Sequence, residues 1–308
     1  MKHLFRIFGL VCLTAFTGNL LSAQQISPSQ ATSRNGPSLT IYAIVNRDAN
    51  SRVWQHITYS KNQNGQIVTN SHSYTELASG LNHLVNGKWV ESKEEITLLP
   101  NGGAAATNGQ HQAYFPADIY NGQIEMVTPD GEQLLSQPVG LNYFDGTNFV
   151  VLGLLTNSVG ELVSSNQIIY PDAFTGIKAD LRYTYTKAGF EQDIILKEQP
   201  LTPESFSLDP DSARLEVLTE FFDSPQLTVT TRTVSTVAGT VEDDSLSFGS
   251  MRMRRGKAFL LGTNSPSVGV NKQWLVQDNR QFLVEAVPVN SVVPELLQLP
   301  VSQASPLS

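Results

Sequence analysis

The sequence predicts an all-β protein, an antiparallel β-sandwich built as one large sandwich or two packed ones, and three observations lead there. Short runs in which apolar and polar residues alternate with a period of two recur through most of the chain. They are separated by Asn64-Gly65, Asn86-Gly87, Asn101-Gly102-Gly103, Asn121-Gly122, Asp130-Gly131 and Asp145-Gly146, the residues that tight hairpins need because they tolerate positive φ. Almost no stretch places apolar residues at the spacing of a helix, so sheets packed on sheets are the expected way to build a core.

In chain order, Lys2 and Arg6 precede an apolar run from Ile7 to Leu21 that ends in Leu21-Ser22-Ala23, the composition of a secretory leader. Residues 1–23 are therefore expected to be removed after Ala23. Gly18 and Asn19 interrupt the run, which is too short for a comfortable membrane span. Cys12 does not make a lipoprotein site, because Val11 stands where a small residue is needed. The location expected is secreted, periplasmic or cell-surface, with no membrane span after cleavage. Residues 24–38, QQISPSQATSRNGPS, read as a flexible lead-in. A β domain is expected over 39–198, opening with LTIYAIVNR, VWQHITYS and a turn at Asn64-Gly65 into a further strand. GKWVES, EEITLLP, HQAYFPADIY, QIEMVTP, EQLLSQPVGLNYF and NFVVLGLLT continue the rhythm.

The stretch that sets local geometry most firmly is Gly176 to Leu196, read as a hairpin with Gly189 in its turn. An odd loop would put the two apolar sets on opposite faces, whereas an even loop unites them. With Ala188-Gly189 as the loop, Leu181 lies opposite Leu196 and Tyr183 opposite Ile194. Thr184, Glu191 and Asp193 then share a solvated face near Arg182 and Lys197. Residues 199–213, QPLTPESFSLDPDSA, carry three prolines and read as a linker or a crossover. A β region over 214–290, packed on the first or continuous with it, ends in a hairpin turned at Asp278-Asn279. Residues 291–308 are expected to be a tail with one helical turn at Pro294 to Leu299.

Several of these segments, SYTELASGLN, GKWVES, GQHQAYF, ADLRYTYTKAGFEQDIIL, FGSMRM with GKAFLLG, and KQWLVQDNRQFLVEAVP, together resemble the N-terminal regions of secreted bacterial Rhs or YD-repeat proteins and related surface proteins. The resemblance implies a β-rich leader module on an exported protein. It carries no catalytic residues over, and the chain has neither YD repeats nor a C-terminal effector.

Charge and cysteine usage narrow the function. The formal charge of −8 becomes −10 without Lys2 and Arg6, so nucleic acid is not expected as a partner. The one basic cluster, Arg252, Arg254, Arg255 and Lys257, reads as a solvated hairpin tip. Cys12, the only cysteine, leaves with the leader, so disulfides, thiol catalysis and cysteine-ligated metals leave with it. No GxSxG is present, and His56, His72, His83 and His111 show no HExxH spacing; adjacent strands could bring His72 and His83 together on a metal, but exposed or hydrogen-bonded strand histidines are the expected reading. For calcium the best local oxygen supplies are Asp209-Pro210-Asp211-Ser212, Glu242-Asp243-Asp244 and Asp145-Gly146-Thr147-Asn148, but none matches a full loop motif and turn chemistry is the better explanation of each. Glu191 and Asp193 are the nearest thing to a glycosidase pair. Trp54, Trp89, Trp274, Tyr42, Tyr59 and Tyr74 are the rings available for sugar, with Trp89 and Trp274 assigned to packing. No catalytic, cofactor-binding or metal-binding residue is assigned and no cofactor is expected. The reading is a non-catalytic surface or structural module with an unknown protein or glycan partner, the alternative being a carbohydrate-binding or carbohydrate-processing sandwich.

Overall fold

A computed structural model describes residues 5–14, 39–236, 239–264 and 266–302. Its strands are β1 (Phe5–Thr14), β2 (Leu39–Asp48), β3 (Ser51–Lys61), β4 (Ile67–Leu77), β5 (Asn82–Val85), β6 (Lys88–Glu91), β7 (Thr97–Leu98) and β8 (Ala104–Ala106). They continue with β9 (Gln112–Phe115), β10 (Ile124–Val127), β11 (Gln133–Phe144), β12 (Phe149–Leu154), β13 (Glu161–Ser164), β14 (Gln167–Tyr170), β15 (Ala179–Thr186) and β16 (Gly189–Leu196). The last are β17 (Arg214–Phe222), β18 (Thr228–Thr236), β19 (Gly239–Phe248), β20 (Met251–Arg254), β21 (Gly256–Leu260), β22 (Val268–Gln277) and β23 (Arg280–Pro288), followed by a helical turn α1 (Val293–Leu296). The all-β expectation holds, and its turn chemistry holds with it: Asn86-Gly87 and Asp278-Asn279 both adopt positive φ at both residues, as a two-residue hairpin turn requires.

The chain divides into two compact units, Ala15–Ser92 on the one hand and Met1–Thr14 with Lys93–Ser308 on the other. In the smaller unit, β2, β3 and β4 form a three-stranded antiparallel sheet and β5 and β6 a separate hairpin. Arg52 of β3 ties the two together from a buried position, donating to Asn82 Oδ1 and the Leu81 carbonyl and meeting Glu91 at 3.0 Å.

The larger unit is a sandwich of two antiparallel sheets. One runs β13, β14, β15, β16, β1; on its far side β1 pairs with β20 and β21, from which β19 and β18, and the start of β22, continue. The other runs β7, β8, β9, β10, β11, β17, β23, β22, with β12 beside the second half of β11. β22 serves both sheets, because its first residues pair with β21 and the rest with β23. Between the sheets, Phe115 of β9 meets Tyr183 and Phe190 at ring distances of 5.8 and 6.0 Å. The buried tyrosines here keep their hydroxyls bonded: Tyr183 donates to Gln192 Oε1, Tyr185 to the His111 carbonyl and Tyr170 to the Pro116 carbonyl.

The compact units do not follow the sequence segments. The proline-rich 199–213 is a crossover inside the larger unit, leading from β16 in one sheet to β17 in the other and burying Pro203 and Leu208. Residues 291–308 are not a loose tail as far as they are described: Val292, Leu296 and Leu299 are core residues, and Val301 bridges Gln199. Apolar side chains at this spacing close the end of the sandwich, which local polarity alone did not reveal. The lead-in at 24–38 and residues 303–308 lie outside the described residues.

The central hairpin is β15–β16 with a two-residue loop, as the even-loop rule requires, but the loop is Lys187-Ala188. Gly189 is the first residue of β16, bonded through its N–H and carbonyl to the Thr186 hydroxyl. The register therefore shifts by two residues: Leu181 faces Ile194, Tyr183 faces Gln192 and Tyr185 faces Phe190. This register stacks Tyr183 on Phe190 at 5.3 Å. It also lets Gln192 join the Tyr183 hydroxyl to Thr219 of the opposite sheet. The second correction concerns the other face, which is not solvated. Asp193 is 0% exposed and Thr184 is buried. A hairpin buried on both faces has no cheap positions: Tyr183→Ala is expected to cost about 3–5 kcal/mol in urea unfolding. Thr184→Ala, which leaves Gln167 Nε2 without its acceptor, should cost about 1 kcal/mol rather than nothing.

Candidate functional site

Two groupings of polar and aromatic residues stand out. The first is buried in the sandwich. Asp193 receives both Nε and Nη2 of Arg182, its register partner on β15, at 3.1 Å. Asp243 of β19 accepts from Nζ and from the backbone N–H of Lys272 at 3.3 and 3.1 Å, and its other oxygen meets Arg232 at 3.0 Å. Asp244 receives the Trp274 N–H and the Thr231 hydroxyl. These carboxylates thus cap strand N–H groups of β22 where it passes from one sheet to the other, which explains why two consecutive acids lie inside. Glu285 of β23 stands opposite Lys272 in the ladder and is 1% exposed. Burial raises its pKa to about 8, the nearby Asp193 and Asp243 charges add to the rise, and Lys272 opposes it. Burial pulls Lys272 down in turn, against the pull of Asp243 and Glu285. Burial and the neighbouring acids thus push Glu285 toward its neutral form beside the Asp243–Lys272 contact, since one more carboxylate charge in so dry a place is costly.

The second grouping is the face of the three-stranded sheet that carries the even-numbered residues of β3. Tyr42 stacks on His56 at 4.7 Å, Trp54 on Tyr74 at 6.2 Å, and His56 lies 6.5 Å from His72. All are register neighbours, so strand alternation alone assembles them. Tyr42 and Tyr74 remain 58% and 52% exposed. The Trp54 indole donates to Glu76 at 2.8 Å, which orients it.

The residues singled out from sequence separate accordingly. His72 meets His56 rather than His83, which is buried on β5 in a different sheet. His111 is buried in the sandwich with its ring 4.7 Å from that of Tyr185, and burial lowers its pKa to about 4. Asp145 bonds the N–H groups of Thr147 and Asn148, and Asp209 bonds Asp211 N–H and the Ser212 hydroxyl. Both are turn-forming contacts. Lys197 pairs with Asp172 and Asp180 rather than with Glu191 or Asp193. Trp274 packs on Phe221 at 5.1 Å, while Trp89 is half-buried. Arg252 and Arg254 are exposed along β20 and Lys257 on β21, whereas Arg255 is half-buried and bonds Asn271. Lys272 and Glu285 were missed in the sequence, where KQWLVQ and FLVEAV look like ordinary alternation; only the lone charge inside each apolar row hinted at them.

Compared with protein-family models, with curated proteins and with solved structures, the chain matches none.

The buried acid makes a sign-definite prediction. A carboxylic acid whose folded pKa is raised contributes stability that is present below its unfolded value of 4.5 and is lost as pH rises toward about 8. His111, His83 and Lys272, all lowered by burial, act the other way, so the difference between the wild-type chain and Glu285→Gln from pH 6.5 to 8 is what reports Glu285. Across that range the wild-type unfolding free energy should fall by on the order of 1 to 2 kcal/mol relative to the variant. By contrast Asp243→Ala, which strands Lys272 without its partner, should cost about 3–5 kcal/mol in denaturant unfolding at pH 7.

Proposed function

We propose that this chain is an exported, non-catalytic interaction module, displayed in the periplasm or at the cell surface, that contacts its partner through the aromatic face of β2, β3 and β4. The observation that carries the reading is where the two kinds of side chain lie. The carboxylates that converge, Asp193, Asp243 and Glu285, are at most 1% exposed and are engaged with structural cations or held neutral. A hydrolase needs its acid and base within reach of substrate and water. The aromatic side chains, in contrast, stand on an open sheet face together with His56, His72 and the Trp54–Glu76 contact. Export is supported by the leader composition of residues 1–23, and a role as the leader region of a larger exported protein by the resemblance to Rhs-type N-terminal regions.

A second reading gives the partner's class. Tyr and Trp rings interspersed with hydrogen-bonding side chains are what carbohydrate recognition uses, so a glycan is the partner that this face suits best.

Binding of the exported protein to a glycan array and to intact cells tests both readings. Replacing Tyr42 and Tyr74 with Ala should reduce binding about tenfold or more, as loss of anchoring rings does at other interfaces, while the melting temperature stays within about 2 °C because both rings are exposed. Cell binding without glycan binding favours a protein partner. Unchanged binding in the double variant removes this face from the function, and turnover of any glycoside that disappears in Glu285→Gln would establish an enzyme instead.

A further inference from the structure

β1 joins two parts of one sheet of the larger unit. Among the described residues, β16 pairs with β15 and β1, and β20 and β21 reach the β13–β16 half of their sheet only through β1. The strand is 10 residues long and antiparallel to both walls. Phe5 is in register with Leu196 and Leu260, Ile7 with Ile194 and Ala258, and Cys12 with Phe190 and Met253. All six wall residues are buried core residues. Yet Phe5–Thr14 lies wholly inside the stretch that has the composition of a cleaved leader.

Removing that stretch would leave two inner strand edges, each with a row of backbone N–H and C=O groups and apolar side chains, facing a gap one strand wide. Each edge carries apolar core residues on one face, with its charges, Glu191 and Asp193 on β16 and Arg252 and Arg254 on β20, on the other. The geometry points to this gap as a strand-binding slot: after leader cleavage it takes an extended, apolar segment of about ten residues from a partner polypeptide, antiparallel to β16 and to β20 and β21. The inference rests on the reading of residues 1–23 as a removable leader.

The walls also state what the incoming strand should carry. Positions matching Phe5, Ile7 and Cys12 fall between apolar core residues and call for apolar side chains. On the outer face, the position matching Leu13 lies between Gly189 and the exposed Arg252, and that matching Val11 between Glu191 and the exposed Arg254. An acidic residue is favoured at the first and a neutral polar one at the second. The exposed basic row of β20, of which Arg252 also donates to Ser247, thereby gains a role.

The test uses the full-length gene product recovered after export. Intact mass gives its N-terminus, and hydrogen exchange is followed with and without the synthetic decapeptide FRIFGLVCLT. Cleavage after Ala23 is expected, with fast exchange in β16, β20 and β21 that slows about tenfold or more when the peptide binds one to one. A peptide with Glu in place of Leu13 should bind more tightly at low salt, and Arg252→Glu should reverse that preference. A cleaved chain whose β16 and β20 amides are already protected, or that binds a scrambled peptide equally, overturns the slot and leaves export standing. An exported chain that still begins at Met1 overturns the leader reading and the slot together.

Discussion

A strand edge in the interior of a sandwich must find a partner, and in this protein that demand governs the larger unit more than any single side-chain contact. Its backbone N–H and C=O groups cannot be left dry and unpaired, and the chain has no cysteine other than Cys12 to hold edges together by other means. Two strands meet the demand at the places where the sheets would otherwise part. β22 changes sheets along its length, joining β21 to β23, and β1 joins the two halves of the other sheet.

The buried charges follow from that geometry. Where β22 leaves one sheet for the other, the N–H groups of Lys272 and Trp274 are taken by the carboxylates of Asp243 and Asp244. A carboxylate placed there brings a charge, the charge brings Lys272 and Arg232, and Glu285 across the ladder is pushed toward its neutral form by burial and, less, by the acids around it. A buried pair of this kind adds little net stability over an apolar pair of equal size, but it penalises any register that separates its members. It is therefore understood as a device that fixes where β19, β22 and β23 meet. An acid, a lysine and two neighbouring carboxylates are groups that catalysis also uses; shut in, they fix a register.

The smaller unit works differently. Its three-stranded sheet has stacked rings on one face and leaves Ile41, Val45 and Ile67 largely exposed. A sheet so small gains little from burial, so its residues are free to serve contact with something else, while Arg52 and Asn82 hold it to the β5–β6 hairpin.

What the sequence determined by itself is whatever depends on neighbours along the chain. Period-two alternation and the Asn-Gly and Asp-Asn turns identify the strands and hairpins of β2 to β4, β17 and β22 to β23, because pleat and turn conformation are local. The even loop of the central hairpin was legible for the same reason. Its register was not, since Tyr183 opposite Ile194 and Tyr183 opposite Gln192 both give one apolar face. Contacts with Thr219 and Phe115, distant in the chain, decide between them. Tertiary structure also decided that Thr184 and Asp193 are buried, because a strand's second face is dry or wet according to what lies over it. It decided that Val292 to Leu299 close the core, and that Asp243, Lys272 and Glu285 converge from three strands. Such meetings arise from pairings between residues tens of positions apart, and no local pattern encodes which distant edge a strand will join.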